Sequence, residues 1–203
     1  MMRTNDPKNC ICLDAISYRY PGTDRDIFRD FSASFPMGGR TAVLARSGGG
    51  KTTLLHLLAG LVKPTCGEIR YPASPDKPLS FSMVFQEDRL LEYRSVRKNI
   101  QLAAGTVSDE HIIETLKKAD LSIYADKKIS ALSGGEKRRC AIVRALLADY
   151  DVMLLDEPFT GLDGETKSAM MNLVKDYIGD KTMILVTHDE NETEFFGCDI
   201  LRL

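Results

Sequence analysis

The chain has 203 residues, a formal net charge of −2 and 43% hydrophobic residues, enough for one domain with a proper core. So balanced a charge offers neither nucleic acid nor an anionic membrane an electrostatic footprint. The five cysteines, at 10, 12, 66, 140 and 198, are odd in number and follow no disulfide-framework or zinc spacing, which fits a reducing cytosol.

Residues 1–9 are polar and lack the apolar stretch of a signal peptide. Residues 11–20 read as a strand, with Tyr20-Pro21-Gly22-Thr23 as the turn after it. A second strand at 27–35 alternates Ile27, Phe31, Ala33 and Phe35, and Met37-Gly38-Gly39 makes a turn. Thr41 to Ala45 is a short buried strand that runs through a glycine loop into a helix over 51–61. Leu54, Leu55, Leu57, Leu58 and Leu61 are expected on that helix's inner side. The longest apolar run, Leu54 to Val62, is interrupted by His56 and Gly60 and is too short to span a bilayer. A soluble chain is therefore expected, held at any membrane by a partner. A strand at 80–85 is followed by helices at 94–103 and 108–120, the second capped by Ser108. Residues of about 90–131 contain no strand, so the expected division is a core of 1–89 and 132–203 with an inserted helical subdomain. A helix at 136–149, a strand at 152–156, a helix at 164–178, a strand at 182–187, a helical segment at 189–196 and a strand at 199–203 complete the chain. Strands alternating with helices predict an α/β fold with a mainly parallel sheet and a ligand at the strands' carboxyl ends.

Four sets of residues carry chemistry. In Ser47-Gly48-Gly49-Gly50-Lys51-Thr52-Thr53 a buried strand feeds three glycines and then a helix. The glycines let backbone amides wrap a phosphate chain; Lys51 can neutralise its outer phosphates and Thr52 can ligate Mg²⁺. The loop departs from the P-loop pattern G-x-x-x-x-G-K-[ST] at its first glycine, which here is Ala45. Alanine is harmless there if φ is negative and costs on the order of 1 kcal/mol if φ is positive. In Leu154-Leu155-Asp156-Glu157-Pro158 two carboxylates sit at the tip of a buried strand: Asp156 placed to hold a metal through water, Glu157 to orient or deprotonate a water. Gln86 and His188 each follow a strand and can reach the metal, the water or a γ-phosphate. In Leu132-Ser133-Gly134-Gly135-Glu136 a hydroxyl and bare amides open a helix, which makes an anion site. The same Ser-x-x-Glu spacing is a capping box, and the two readings coexist.

These motifs, in this order and over nearly the whole chain, resemble the ATP-binding cassette (ABC) ATPase family. The resemblance rests on Tyr20 in Tyr18-Arg19-Tyr20-Pro21-Gly22, Ser47 to Thr53, Gln86, Leu132 to Glu136 continuing into Arg138-Arg139-Cys140-Ala141-Ile142-Val143-Arg144-Ala145-Leu146, Asp156 with Glu157, Gly161-Leu162-Asp163, and His188. It implies a P-loop NTPase of ABC type: a mainly parallel sheet flanked by helices, an N-terminal antiparallel β portion and the helical insert. It implies ATP and Mg²⁺ as ligands, with Thr52, Gln86 and Asp156 on the metal, Asp156 through water. Tyr20 would stack on adenine, and Glu157, with His188 and Gln86, would drive hydrolysis. Two cassettes would close head to tail, so that Ser133, Gly134, Gly135, Glu136 and Asp163 of one cap ATP held by the other. Glu136 stands where glutamine is more usual and is not read as inactivating.

Within the family the expected role is the ATPase subunit of a transporter, cytoplasmic and peripheral on the inner face of the membrane. Its partners would be a second ATPase chain, identical or not, and separate permease subunits, with a substrate-binding protein possible in addition and no nucleic acid. Phe85-Gln86-Glu87-Asp88-Arg89-Leu90-Leu91-Glu92-Tyr93 resembles a run in importers for nitrate, sulfonate and taurine and would lie near the permease. No C-terminal regulatory domain follows the last strand, so regulation of that type is not expected. Two alternatives stay open: a soluble ABC protein acting on DNA or ribosomes, and a nucleotide-binding module with little turnover, which Ala45 keeps in play.

Overall fold

The computed structural model describes residues 9–46, 48–72 and 78–203. Two sheets organise it. The first is antiparallel, in the order β2-β1-β4, formed by β1 (Cys10–Arg19), β2 (Asp26–Pro36) and β4 (Cys66–Arg70). β1 and β2 pair across the expected turn, where Gly22 takes φ 78° and the Thr23 N–H donates to the Tyr20 carbonyl. β4 is absent from the sequence reading. It is five residues long and exposed at every position except the half-buried Ile69, so it carries no alternating apolar signal. Its pairing with β1 shifts register between Asp14 and Ser17, and a Cβ on Gly67 would collide with the Asp14 and Ala15 carbonyls.

The second sheet is parallel, in the order β5-β6-β7-β3-β8, formed by β3 (Arg40–Leu44), β5 (Phe81–Val84), β6 (Val152–Asp156), β7 (Thr182–Val186) and β8 (Asp199–Arg202). β6 and β7 are buried throughout because both faces are covered. Val152, Leu154, Ile184 and Val186 face one core, shared with α1 (Lys51–Leu58) and the antiparallel sheet. Met153, Leu155, Met183 and Leu185 face a second core. There they meet α2 (Val96–Ala104), α3 (Asp109–Lys118), α4 (Gly134–Leu146), α5 (Gly164–Ile178) and α6 (Glu190–Phe196).

α1 buries Leu54, Leu55, Leu57 and Leu58 completely. Leu61, expected on the same face, is instead 56% exposed, because the helix closes at Ala59 and Gly60 turns the chain with φ 69°. α4 begins earlier than expected: Gly134 and Gly135 are its first turn. In the parallel sheet the chain leaves β3, β5, β6 and β7 at the same end, and Gly48, Gly49, Gly50, Gln86, Glu157, Asp163 and His188 follow those strands there.

Candidate functional site

The loop after β3 is shaped by two steric facts. Gly50, at φ 87°, would drive a Cβ to 2.8 Å from Ile27 Cγ2, and a Cβ on Gly49 would stand 2.9 Å from Cβ of Ala45. Ala45 itself carries no strain: left-handed backbone at non-glycine positions is confined, among the described residues, to Ala15, Asp30, Arg89, Asp120 and Glu157. Its carbonyl accepts a 2.9 Å hydrogen bond from Lys51 Nζ. Ser47 lies outside the described residues.

Lys51 and Thr52 start α1 and reach across to the end of β6. The Thr52 hydroxyl donates to Asp156 Oδ2 at 2.6 Å. Burial raises the Asp156 carboxyl above the usual carboxylate range, and the Thr52 bond opposes that shift. The next residue, Glu157, adopts φ 46° while its N–H donates to the Val186 carbonyl at 2.9 Å. That turn brings its carboxylate 3.9 Å from Lys51 Nζ and 3.7 Å from His188 Nδ1. His188 is 69% exposed at the end of β7. The structure thus gathers Lys51, Thr52, Asp156, Glu157 and His188 from distant parts of the sequence.

A pocket of about 370 Å³ holds Gly48, Gly49, Gly50, Lys51, Thr52, Thr53, Gln86, Asp156 and Glu157, with Tyr20 on its wall. The Tyr20 hydroxyl shares a 2.9 Å hydrogen bond with the Thr53 hydroxyl, and its ring packs edge-on against Tyr18, leaving 38% of the residue exposed. Arg25 and Ile27 also line this pocket; neither is expected from the sequence as a site residue, since the loop before β2 and the first residues of β2 carry no motif. The donor set of a hydroxyl, a carboxylate and an amide oxygen suits a hard cation such as Mg²⁺. No group of three acidic, histidine or cysteine side chains that could form an all-protein cage occurs among the described residues. Mg²⁺ sites of that kind take one or two protein groups and complete themselves with phosphate and water.

The signature residues sit elsewhere. Gly134 and Gly135 line a second pocket of about 380 Å³, and Gln86 and Glu157 line both. Ser133 caps α4: its hydroxyl accepts from the Glu136 N–H at 3.3 Å and its own N–H donates to Glu136 Oε2 at 2.7 Å. That backbone bond holds the Glu136 carboxyl below its ordinary range. A Cβ on Gly134 would meet nothing within 4 Å, and one on Gly135 only Leu162 at 3.8 Å. Neither glycine is required by its own chain. Asp163 caps α5, accepting from the Thr166 N–H at 2.9 Å and the Thr166 hydroxyl at 2.8 Å, and those bonds lower its pKa.

A glycine loop at the end of a buried parallel strand, followed by Lys51 and Thr52 and faced by Asp156 and Glu157, defines a P-loop ATPase. Residues 28–160 match the family model described as ABC transporter. The taurine import ATP-binding protein TauB of Pseudomonas fluorescens (strain Pf0-1) is 37% identical over 201 residues, covering 94% of this chain and 76% of that protein. The aliphatic sulfonates import ATP-binding protein SsuB 1 of Rhodococcus jostii (strain RHA1) is 38% identical over 198 residues, covering 96% and 80%. A solved dimer of the ATP-binding cassette MJ0796, in a post-hydrolysis state bound to ADP and Pi, superposes with a TM-score of 0.84 at 27% identity, over 95% of this chain and 94% of that one. The chain belongs to the ABC transporter family, as an ATP-binding and ATP-hydrolysing subunit.

Proposed function

We propose that two copies of this chain close head to tail on ATP, and that hydrolysis reopens them to drive transport through separate membrane permease subunits. The observation that carries the reading is the pair of bare glycines at the start of α4. They present unpaired helix-start amides to space that their own chain leaves open, which suits a phosphate brought by another molecule.

In each composite site the glycine-loop amides and Lys51 hold the phosphates of ATP, and Tyr20 offers its ring to the base. Thr52, Asp156 and Gln86 would hold Mg²⁺, which when bound neutralises charge on the phosphates and fixes their orientation. Glu157 takes a proton from the attacking water, while His188 and Gln86 position the γ-phosphate and that water. Ser133, Gly134, Gly135, Glu136 and Asp163 act from the partner copy.

No helix among the described residues is long and apolar enough to cross a membrane, in keeping with a subunit held at the membrane's cytoplasmic face by its permease. Leu91 and Tyr93, 50% and 87% exposed just after Gln86, are the proposed contact. The names of the relatives, taurine and aliphatic sulfonates import ATP-binding proteins, support import of a small sulfonate such as taurine as the cargo; a substrate-binding protein is a further partner in this reading. Uptake of labelled taurine by cells with and without this chain tests the cargo.

The test of the enzyme is Glu157→Gln. The variant should bind ATP, dimerise and hydrolyse it at less than about 1% of the wild-type rate, since a general base contributes roughly 10²–10⁴-fold. Equal rates for the two proteins would remove Glu157 from the role of base.

A further inference from the structure

One buried guanidinium ties together the two segments that must cooperate in hydrolysis. Arg138, in the second turn of α4, has a side chain only 7% exposed. Its Nε donates to the Pro158 carbonyl at 2.8 Å, and one terminal nitrogen donates to the carbonyls of Asp156 at 3.0 Å and Glu157 at 2.6 Å. The other terminal nitrogen donates to the carbonyl of Phe85 at 2.6 Å, to that of Gln86 at 3.4 Å and to Asp88 Oδ1 at 3.1 Å. One planar fork therefore holds three successive carbonyls around the strained Glu157 on one side and the Gln86 segment on the other. Arg144, six residues further along α4, reaches only the Asp88 and Arg89 carbonyls among the described residues.

We propose that Arg138 is a positioning residue for hydrolysis: it holds Glu157 in its left-handed turn and sets the register of Gln86 against it. The inference rests on the reading of Glu157 as the base. Two features make the arrangement specific to arginine. Its five donors lie in one rigid plane and cannot lose a proton, whereas a lysine ammonium is a point charge on a flexible stem. The Glu157 turn also sits in a backbone region that a non-glycine residue leaves unless its surroundings hold it there. When the fork is lost, the turn relaxes and the carboxylate shifts away from the water. ATP contacts change little, because Arg138 bonds neither to the glycine loop nor to Lys51 or Thr52, and meets Asp156 and Gln86 only at their backbone carbonyls, not at the side chains that would hold Mg²⁺.

The test is steady-state ATPase activity and fluorescent-ATP binding of purified Arg138→Lys and Arg138→Gln, each alone and combined with Glu157→Gln. Displacing a catalytic group by an ångström costs up to about 100-fold in rate, so kcat should fall roughly 10- to 100-fold in both single variants, with ATP affinity within about threefold of wild type. In the Glu157→Gln background the same substitutions should change residual turnover by no more than about threefold, because with the base gone only the placement of Gln86 is left for Arg138 to act through. Rescue of kcat by lysine would overturn the proposal, as would a full further loss in the double variant. Loss of ATP binding in both single variants would also overturn it, by making Arg138 a folding residue. Wild-type turnover in Glu157→Gln alone would instead overturn the assignment of the base.

Discussion

Ala45 stands where the glycine-loop pattern has its first glycine, and its backbone shows why the substitution is tolerated. Its φ lies outside the left-handed region and its carbonyl accepts from Lys51. Its methyl group occupies the space that Gly49 leaves by having none. The weak-turnover reading drew its support from this position, and the unstrained backbone withdraws it. Ala45→Gly should leave ATP affinity within about fivefold, since the freedom that glycine adds to the unfolded and open loop is worth roughly 0.5–1 kcal/mol. Titration with a fluorescent ATP analogue reads this, and a gain of tenfold or more would show a degenerate loop. Gly135 gives the opposite case. With no neighbour closer than Leu162 at 3.8 Å, Gly135→Ala should raise the stability of the isolated chain by up to about 1 kcal/mol through helix propensity. It should nevertheless lower turnover, because the methyl group stands where the partner's phosphate would dock. Urea unfolding and ATPase assays on the same preparation separate the two effects; a fall in stability would mean the glycine serves its own fold.

At the scale of elements, the first residues of α4 fix its start. The capping box predicted from Ser-x-x-Glu is present, with both reciprocal bonds made. Its pH dependence follows from Glu136. The folded-state pKa is depressed by the Ser133 N–H and the Tyr124 hydroxyl, so the contribution is in place above the unfolded value of about 4.3 and is lost as pH falls through the lower folded value. Glu136→Gln keeps an acceptor for the Ser133 N–H without the titration. Wild type should therefore be the more stable protein at pH 7, and the difference should shrink toward zero near pH 3. A difference that stays constant between those pH values, measured by urea unfolding, would remove the carboxylate from the cap. Much of this level was legible in the sequence because local order carries it: strand, glycines, Lys51-Thr52 and helix occur consecutively, as do the apolar run and the acids of β6. What stayed hidden depends on tertiary neighbours. β4 exists because β1 offers it an edge, Leu61 is lost from the buried stripe because α1 closes three residues earlier, and Arg138 acquires its acceptors only when α4 packs beneath β5 and β6.

For the whole molecule, the proposed dimer joins the glycine loop of one chain and the α4 signature of the other in one active site. Within one chain they line different pockets that meet at Gln86 and Glu157. A symmetric pair would join each glycine loop to the other copy's α4, giving two equivalent sites. Complementation tests this most directly. A Lys51→Ala chain keeps its signature, and a Gly135→Asp chain keeps its glycine loop; the added carboxylate suits a helix start but repels phosphate. Each variant alone should be inactive. Mixed in equal amounts, about half of the pairs combine the two variants and each such pair holds one intact site of two, so activity should return to about a quarter of the wild-type value. A mixture as inactive as its components would show that the glycine loop and the α4 signature do not share a site between chains.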